Sequence, residues 1–434
     1  MNVVHLNAGA GGMYCGSCLH GNTLSAALRQ AGAEVTAVPL YTPLRLDEPG
    51  GEFAPVAFGG INVFLQQHSA LFRHAPAFVD HLLDRPALLR RAARYSGGTR
   101  PQSLGPLFVS MLHGEEGRQR KEIRKLLAWL KTQPRPDVVH LANGLLVGIA
   151  RPIARELRIP VVATLAGEDL FVEQIPEPYR SQARTALRER VADLAGLTAL
   201  NGYFANFMAD YLAVPRAKIA VIRPGLNLAG HAAAPRSEPG LRHPPDFTIG
   251  YLARVAPEKG LHLAAEALAI LAADRQLLPL RLAAAGSLSQ IDRPYFQAIQ
   301  RRLAEQGLAD RFEYIGQPDR AGKIAFLQGI DVLVMPTVYP ESRGLPVLEA
   351  WANGVAVVVP DHGTFPELIA DTGGGLLHRP ADPAALAAAI RQMIADPQGR
   401  HLHGVRGHQA IHARYYADRM AQETLEWYRS CRAG

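Results

Sequence analysis

The sequence predicts an α/β protein built as two successive series of strands and helices. Three observations lead to this class. Short apolar runs alternate with helical stretches at both ends of the chain, the pattern of mostly parallel sheets. The length, 434 residues, suits two domains of about 200 residues each. The alternation breaks near 224–245, where Pro224-Gly225 is followed by four prolines between Ala232 and Pro245.

In chain order, the first strand is Val3–Leu6, and Gly9-Ala10-Gly11-Gly12 forms the tight loop behind it. That loop is not a dinucleotide fingerprint, which would need glycine at 9, 11 and 14; residue 14 is Tyr. A helix follows from about Ser17 to Ala31, opened by Cys15-Gly16-Ser17-Cys18. Zinc would need four ligands, and the one other cysteine is Cys431. Either a redox pair or a plain small-residue helix start fits these two cysteines. Strands are expected at Glu34–Pro39, Asp137–Leu141, Ile159–Leu165, Leu197–Leu200 and Ile219–Ile222, with a helix over about Leu145–Leu157. His140 stands near the carboxyl end of its strand, where α/β sites collect. Residues 42–130 break the rhythm. They are rich in Pro, Gly and Arg, with apolar patches such as Ala70-Leu71-Phe72 and Ala87-Leu88-Leu89. This reads as an insertion of loops and helices, and insertions of this size carry specificity.

The second series begins at 246. A strand over Phe247–Leu252 enters a loop that holds Arg254 and Lys259, and a helix with apolar Leu261, Leu263, Ala264, Ala267, Leu268 and Leu271 follows. Two cations five residues apart across a loop can converge on one ligand, Arg forking two phosphate oxygens and Lys acting as a point charge. They equally suit a solvated loop. Gly286-Ser287 ends the strand Leu280–Ala285, where it can approach a nucleotide. Val332–Met335 is another strand; Pro336-Thr337 and the turn Ser342-Arg343-Gly344 follow, and a helix runs from near Leu345 to Asn353-Gly354. Pro346 suits the first helical turn and Gly354 the position past the end. Glu341 is then in the loop and Glu349, eight residues on, one turn into the helix. Between them the amides of Gly344 and Leu345, with the helix dipole, form an anion site. An anion cradle flanked by two carboxylates suits a sugar nucleotide; two solvent-facing glutamates are the plainer alternative. A strand over Val355–Pro360, a loop Gly363–Glu367, a turn at Gly373-Gly374-Gly375 and a last helix over about Asp418–Arg429 complete the series.

The run Gly250-x-Leu252-x-Arg254 with Lys259-Gly260, then about eighty residues later Pro336-Thr337, Glu341-Ser342-x-Gly344 and Glu349-Ala350, resembles glycosyltransferase family 4. That family comprises retaining, metal-independent GT-B enzymes that use nucleotide-sugar donors. The resemblance is strong over roughly 246–395 and weaker but continuous over 1–225. It implies two Rossmann-like domains facing across a cleft. Residues 1–225 would be the acceptor-side domain, with the insertion at about 42–130. Residues 226–408 would bind the donor, and 409–434 would cross back as a helix onto the first domain. By the resemblance, Arg254 and Lys259 hold the diphosphate, Glu341 touches the donor sugar near its 3- and 4-hydroxyls, and Glu349 touches the ribose. The backbone of the turn Ser342-Arg343-Gly344-Leu345 binds phosphate and sugar oxygens, and Gly11-Gly12 lies near the acceptor and the donor phosphate. The acceptor side departs from the family: His140-Leu141-Ala142-Asn143 stands where a His-x-His segment is usual, and Ala163 to Asp169 holds no histidine. Glu168 and Asp169 stand there instead, as acceptor-hydroxyl ligands or as a helix-start charge pair. Pro224-Gly225-Leu226-Asn227 replaces Asn-Gly-x-Asp, and Arg343 replaces the usual Phe. The implied reaction is transfer of a hexosyl-type group from a nucleoside diphosphate sugar to a hydroxyl of a sugar, lipid-linked or small-molecule acceptor. It is expected to need no cofactor and no metal. A nucleotide-sugar epimerase on the same fold and a non-catalytic nucleotide-sugar-binding protein are the alternatives.

Composition bounds the rest. The net charge of +7 comes from 46 basic and 39 acidic residues. Without a basic arm or an aromatic-interleaved platform it does not point to nucleic acid. It suits anionic donors and peripheral contact with an anionic membrane surface. Three cysteines make no disulfide framework, which suggests the cytoplasm. No signal peptide and no transmembrane-length run is expected. Abundant Ala and Arg with few Lys suggest a GC-rich bacterial genome.

Overall fold

The computed structural model describes residues 1–9, 16–44, 46, 48, 53–95, 101–235, 247–274, 276–277 and 279–433. Contacts divide the chain into two units, Met1–Gly225 with Ala417–Gly434, and Leu226–Tyr416.

The first unit is built on six parallel strands: β1 (Asn2–Ala8), β2 (Glu34–Leu40), β3 (Val138–Leu141), β4 (Val161–Leu165), β5 (Gly196–Ala199) and β6 (Ile219–Val221), in the order β2-β1-β3-β4-β5-β6. Their apolar residues, among them Val3, Leu6, Val138, Val162 and Leu197, are fully buried, as in a sheet covered on both faces. Polar groups cross this core in one row. His140 is paired in register with His5, and Thr164 with Thr198. The expected helix over Leu145–Leu157 differs: Gly144–Ile149 is a 3-10 stretch, and the α-helix starts at Ala150. Within the 3-10 stretch the backbone makes a close approach that only glycine allows, since a Cβ on Gly148 would lie 2.1 Å from the Met111 carbonyl oxygen. Between β2 and β3 the chain forms the helices Gly60–His68, Ala70–Arg73, Ala77–Leu83, Pro86–Tyr95, Pro101–Leu112 and Arg120–Thr132. An ionic network pins them: Lys121 lies 2.7 Å from Asp80, Lys125 lies 2.8 Å from Asp84 and 3.0 Å from Glu122, and Gln66 donates to Glu122 at 2.7 Å. The final helix, Ala417–Ala433, packs on Gly16–Gln30 within this unit.

The second unit holds β7 (Phe247–Leu252), β8 (Leu280–Ala285), β9 (Phe312–Gly316), β10 (Val332–Val334), β11 (Ala356–Pro360) and β12 (Gly375–His378), all parallel, in the order β12-β11-β10-β7-β8-β9. The strand order reverses between β7 and β10, whose residues pair as Ile249 with Val332 and Tyr251 with Val334. A crevice outside the carboxyl ends of the strands at such a switch point is where open α/β sheets bind ligands. Of Gly373-Gly374-Gly375, expected to be a turn, Gly373 caps the helix Phe365–Thr372 with φ of 64° and Gly375 opens β12. A Cβ on Gly375 would lie 2.1 Å from the Val357 carbonyl oxygen, so the glycine lets β12 close on β11. Among the described residues no helix is long and apolar enough to cross a membrane.

Candidate active site

Two loops leave the switch point of the second unit. The loop after β7 carries Arg254, makes a 3-10 turn over Pro257–Lys259 and enters the helix Leu261–Ala272 through Gly260. The loop after β10 runs from Met335 to Gly344 and enters the helix Leu345–Ala352. The Val338 amide donates to the Glu258 carbonyl at 2.9 Å, which ties the loops together. Gly260 has φ of 77°, and a Cβ there would stand 1.8 Å from the Pro336 carbonyl oxygen. Glycine is required by both the backbone angle and the close approach.

Where the loops meet, Lys259, Tyr339 and Glu341 form a closed hydrogen-bonded cluster. Lys259 Nζ donates to Glu341 Oε2 at 2.7 Å and to the Tyr339 hydroxyl at 2.5 Å, and that hydroxyl donates to Glu341 Oε2 at 2.7 Å. The ammonium also stands 4.8 Å from the centre of the Tyr339 ring, within cation–π range. The other carboxylate oxygen, Oε1, accepts from the amides of Ser342 at 3.1 Å and Arg343 at 3.2 Å. The loop before Phe365 braces the same residue: the Thr364 amide donates to the Glu341 carbonyl at 2.8 Å. Burial would raise the Glu341 carboxyl, but the charges of Lys259 and Arg343 and the hydrogen bonds from Lys259 and Tyr339 outweigh it and bring it down to about 2. Glu341 is therefore an anion across the physiological range, although only 2% exposed. Burial and the Glu341 charge together push the Tyr339 phenol up.

The helix Leu345–Ala352 starts on Gly344, with φ of 68° and no side-chain cap. The amides of Gly344 and Leu345 make no hydrogen bond among the described residues, so the first turn presents donors. Arg254 is not part of the Lys259 cluster. It is ion-paired with Glu258 and stands 3.8 Å from Asp292. Gly286 closes β8 with both backbone groups engaged: its amide donates to Gly316 at 2.7 Å and its carbonyl accepts from the Tyr314 hydroxyl at 2.7 Å. Glu349 is likewise separate, paired with Lys323 Nζ at 2.5 Å. Its carbonyl accepts from the Asn353 side chain at 2.9 Å, which also meets His231 Nδ1 at 2.9 Å.

Sequence reasoning missed Tyr339, Lys323, Asn353 and His231. A tyrosine two residues before Glu341 and a lysine among the buried Ile324, Phe326 and Leu327 of the helix Arg320–Gly329 were the available signals.

Of the acceptor-side candidates of the first unit, His140 and Glu168 are core groups. His140 is 1% exposed. Its Nδ1 meets the Tyr428 hydroxyl at 2.6 Å, its Nε2 meets Thr164 Oγ1 at 2.7 Å, and its ring stacks on His5 at 4.8 Å. Burial and the nearby His5 and His20 hold it well below the usual imidazole range. Glu168 accepts from the Gly144 amide at 2.8 Å and from the Ala166 amide at 3.0 Å and 2.8 Å, joining the loops after β3 and β4. Burial raises its carboxyl against these hydrogen bonds. Asp169 follows in the first turn of the helix Glu168–Glu173. Gly11, Gly12 and Cys15 lie outside the described residues; Cys18 is buried, and its thiol donates to the Ala8 carbonyl at 2.7 Å.

Comparison with known proteins identifies the family. The family profile described as Glycosyl transferases group 1 matches residues 236–407, and the one described as Glycosyltransferase Family 4 matches residues 20–229. A 2-deoxystreptamine glucosyltransferase of Streptomyces kanamyceticus is 30% identical over 275 residues, which cover 60% of this chain and 68% of that protein. The chain belongs to the family 4 glycosyltransferases. This glycosyltransferase is also 27% identical over 306 residues to a glycogen synthase of Mycobacterium tuberculosis, covering 69% of this chain and 70% of that protein. Among solved structures, Anabaena Alr3699/HepE in complex with UDP superposes with a TM-score of 0.68 at 16% identity, over 99% of this chain and all of that one. Sucrose-phosphate synthase from Thermosynechococcus elongatus gives 0.69 at 17% identity, over 100% of this chain and 99% of that one. At these identities the structures establish the fold, a two-domain α/β architecture of the GT-B type.

Proposed function

We propose that the enzyme transfers a hexosyl-type group from a nucleoside diphosphate sugar to a hydroxyl acceptor, with retention and without a metal. The observation that carries this is the Lys259–Tyr339–Glu341 cluster at the β7/β10 switch point, beside the open amides of Gly344 and Leu345. The relative named as a glucosyltransferase and the solved structures holding UDP and UDP-glucose support a donor of this class.

Chemically, the bond from the anomeric carbon to the diphosphate oxygen breaks and a bond to the acceptor oxygen forms. Negative charge grows on the leaving diphosphate. Lys259, Arg254 and the helix N-terminus supply the preorganised positive charge that stabilises it, a role typically worth several kcal/mol. Both oxygens of Glu341 already hold hydrogen bonds, and its side chain is 3% exposed. It is thus a poor nucleophile, and a donor-sugar hydroxyl would reach it by displacing the Tyr339 hydroxyl from Oε2. Attack from the face the diphosphate leaves, with the departing phosphate taking the acceptor proton, accounts for retention without a carboxylate nucleophile. The helical insertion between β2 and β3 selects the acceptor. It also carries Phe64, Leu71, Phe78, Leu82 and Leu88, all exposed. Between residues 60 and 95 the sequence holds five arginines against Asp80 and Asp84, and these two acids are paired to Lys121 and Lys125. Exposed apolar side chains in a segment whose sequence carries an excess of arginine suit the anionic inner face of the cell membrane. Cosedimentation with anionic but not neutral vesicles checks that contact.

The deciding experiment follows the reaction by NMR in EDTA, with UDP-glucose and a panel of hydroxyl acceptors. The expected result is acceptor-dependent release of UDP and an α-linked product at an undiminished rate. A β-linked product overturns retention, a rate restored only by Mg²⁺ or Mn²⁺ overturns metal independence, and donor conversion without acceptor points to an epimerase.

A further inference from the structure

We infer that Lys323 is a positioning residue for the ribose end of the donor site. It holds Glu349 by one carboxylate oxygen and cancels its charge, leaving the other oxygen for the ribose hydroxyls. The inference rests on the donor reading above and adds a residue to it.

Lys323 lies on the helix Arg320–Gly329, where its neighbours Ile324, Phe326 and Leu327 are buried core residues. Its own side chain is only 11% exposed, yet its ammonium meets Glu349 Oε1 at 2.5 Å. Taking a lysine and a glutamate out of water is costly, and an apolar pair would satisfy the packing at least as well. A buried ion pair in such a place is better explained by a task than by stability. Glu349 shows what the task is. Its Oε2 takes no hydrogen bond among the described residues, and its side chain keeps 15% of its surface open. Its helix is already anchored from beneath, because Asn353 donates to the Glu349 carbonyl and meets His231. The freedom left is the direction of the carboxylate, and the contact with Lys323 removes it.

Charge supplies the second argument. A diphosphate bound by Lys259, Arg254 and the first turn of Leu345–Ala352 would be repelled by a bare Glu349 in the second turn of the same helix. An ammonium on Oε1 cancels that repulsion while Oε2 still accepts hydrogen bonds.

The test is a comparison of nucleotides by titration calorimetry on the full chain. ADP, GDP and UDP are ranked first, and the tightest is compared with its 2′,3′-dideoxy form. The unmutated enzyme should prefer the ribonucleotide by about tenfold or more, the scale of a hydrogen bond to a charged group. Lys323→Met should shrink that preference to about twofold or less, and Lys323→Arg should restore most of it. Glu349→Gln should abolish it, and adding Lys323→Met to Glu349→Gln should change nothing further, the non-additivity expected of residues acting as one unit. The double variant also replaces the buried pair with neutral groups, so it tests the inference if Lys323→Met alone fails to fold. Equal weakening of both nucleotides in Lys323→Met, with the preference intact, overturns the inference and makes Lys323 a phosphate ligand or a structural group. An unmutated enzyme that binds no nucleoside diphosphate, or does not distinguish the dideoxy form, instead brings down the donor reading beneath it.

Discussion

At the scale of single residues, Glu341 carries the most demanding electrostatics. Its folded-state pKa of about 2 lies below the usual carboxyl value of 4.5, despite burial, because Lys259, Arg343 and Tyr339 favour the anion. A carboxyl depressed in the folded state contributes stability that is fully present above its unfolded value and is lost as pH falls through the folded value. The window is therefore about pH 4.5 down to about 2, and the contribution is of the order of 3 kcal/mol, since each pKa unit is worth about 1.4 kcal/mol. Urea unfolding of the second unit at pH 7, 4.5, 3.5 and 2.5 should show the unmutated protein losing stability across this window more steeply than Glu341→Gln. Parallel curves would mean that the Lys259–Glu341 pair does not perturb the carboxyl. At the same scale the sequence was partly legible. The cation after β7 and the glutamate after β10 stood out by their turn contexts. Tyr339 and Lys323 did not, because nothing local reveals that Lys259 and Lys323 will meet partners 82 and 26 residues away. His140 was legible as a strand-end residue, but its burial depends on Tyr428, 288 residues downstream.

At the scale of elements, the strands most readily read were Phe247–Leu252 and Leu280–Ala285. Each is a mostly apolar run between turn residues, broken by Thr248 and Gly250 in the first and Arg281 in the second, as strands largely buried on both faces require. The short β12 was hidden because it opens on a glycine, and Phe312–Gly316 because its burial alternates around Glu313 as befits an edge strand. The element on which the site depends most is the turn from Pro257 to Gly260. Gly260→Ala would add a Cβ 1.8 Å from a backbone oxygen that cannot move aside, at φ of 77°. The left-handed backbone alone costs about 1–2 kcal/mol, and the clash displaces Lys259 from Glu341. Gly307 is the matched control, with φ of 69° and nothing within 4 Å of an added Cβ. Gly307→Ala should cost only the backbone term, about 1–2 kcal/mol, and leave nucleotide affinity unchanged. Gly260→Ala should cost at least about twice that and weaken nucleotide binding at least about tenfold, the loss of one charged contact. Equal thermal shifts for the two variants, with equal affinities, would show that the turn does not position Lys259.

At the scale of the whole molecule, the chain's last helix belongs to its first unit. Met420, Leu425 and Tyr428 of Ala417–Ala433 are buried in one cluster with Val3, Leu24, Leu28, Val138, Val162 and Ile222. A Cβ on Gly196 would lie 2.8 Å from Cys431 Sγ and 3.0 Å from the Trp427 ring, so the sheet is shaped to receive this helix. Burying each large apolar side chain contributes about 1.5–3 kcal/mol. Three of them therefore contribute an amount comparable with the roughly 5–15 kcal/mol that stabilises a typical domain. Removal of residues 417–434 would also leave His140 Nδ1 without its tyrosine. Truncation after Tyr416 should thus unfold the first unit and spare the second, whose core of Ile249, Leu268, Leu282, Val334 and Ile390 contains no residue beyond 416. Limited proteolysis should degrade residues 1–225 and leave a resistant fragment starting close to Leu226. That fragment should bind nucleoside diphosphate within about threefold of the intact enzyme, while glycosyl transfer is abolished. The milder variant Tyr428→Phe keeps the apolar burial and removes only the hydroxyl on His140, so it should cost about 1–3 kcal/mol and leave transfer measurable. A first unit that stays protease-resistant after truncation would overturn the structural role of the helix. Nucleotide binding lost together with the first unit would show that the donor needs more than Leu226–Tyr416.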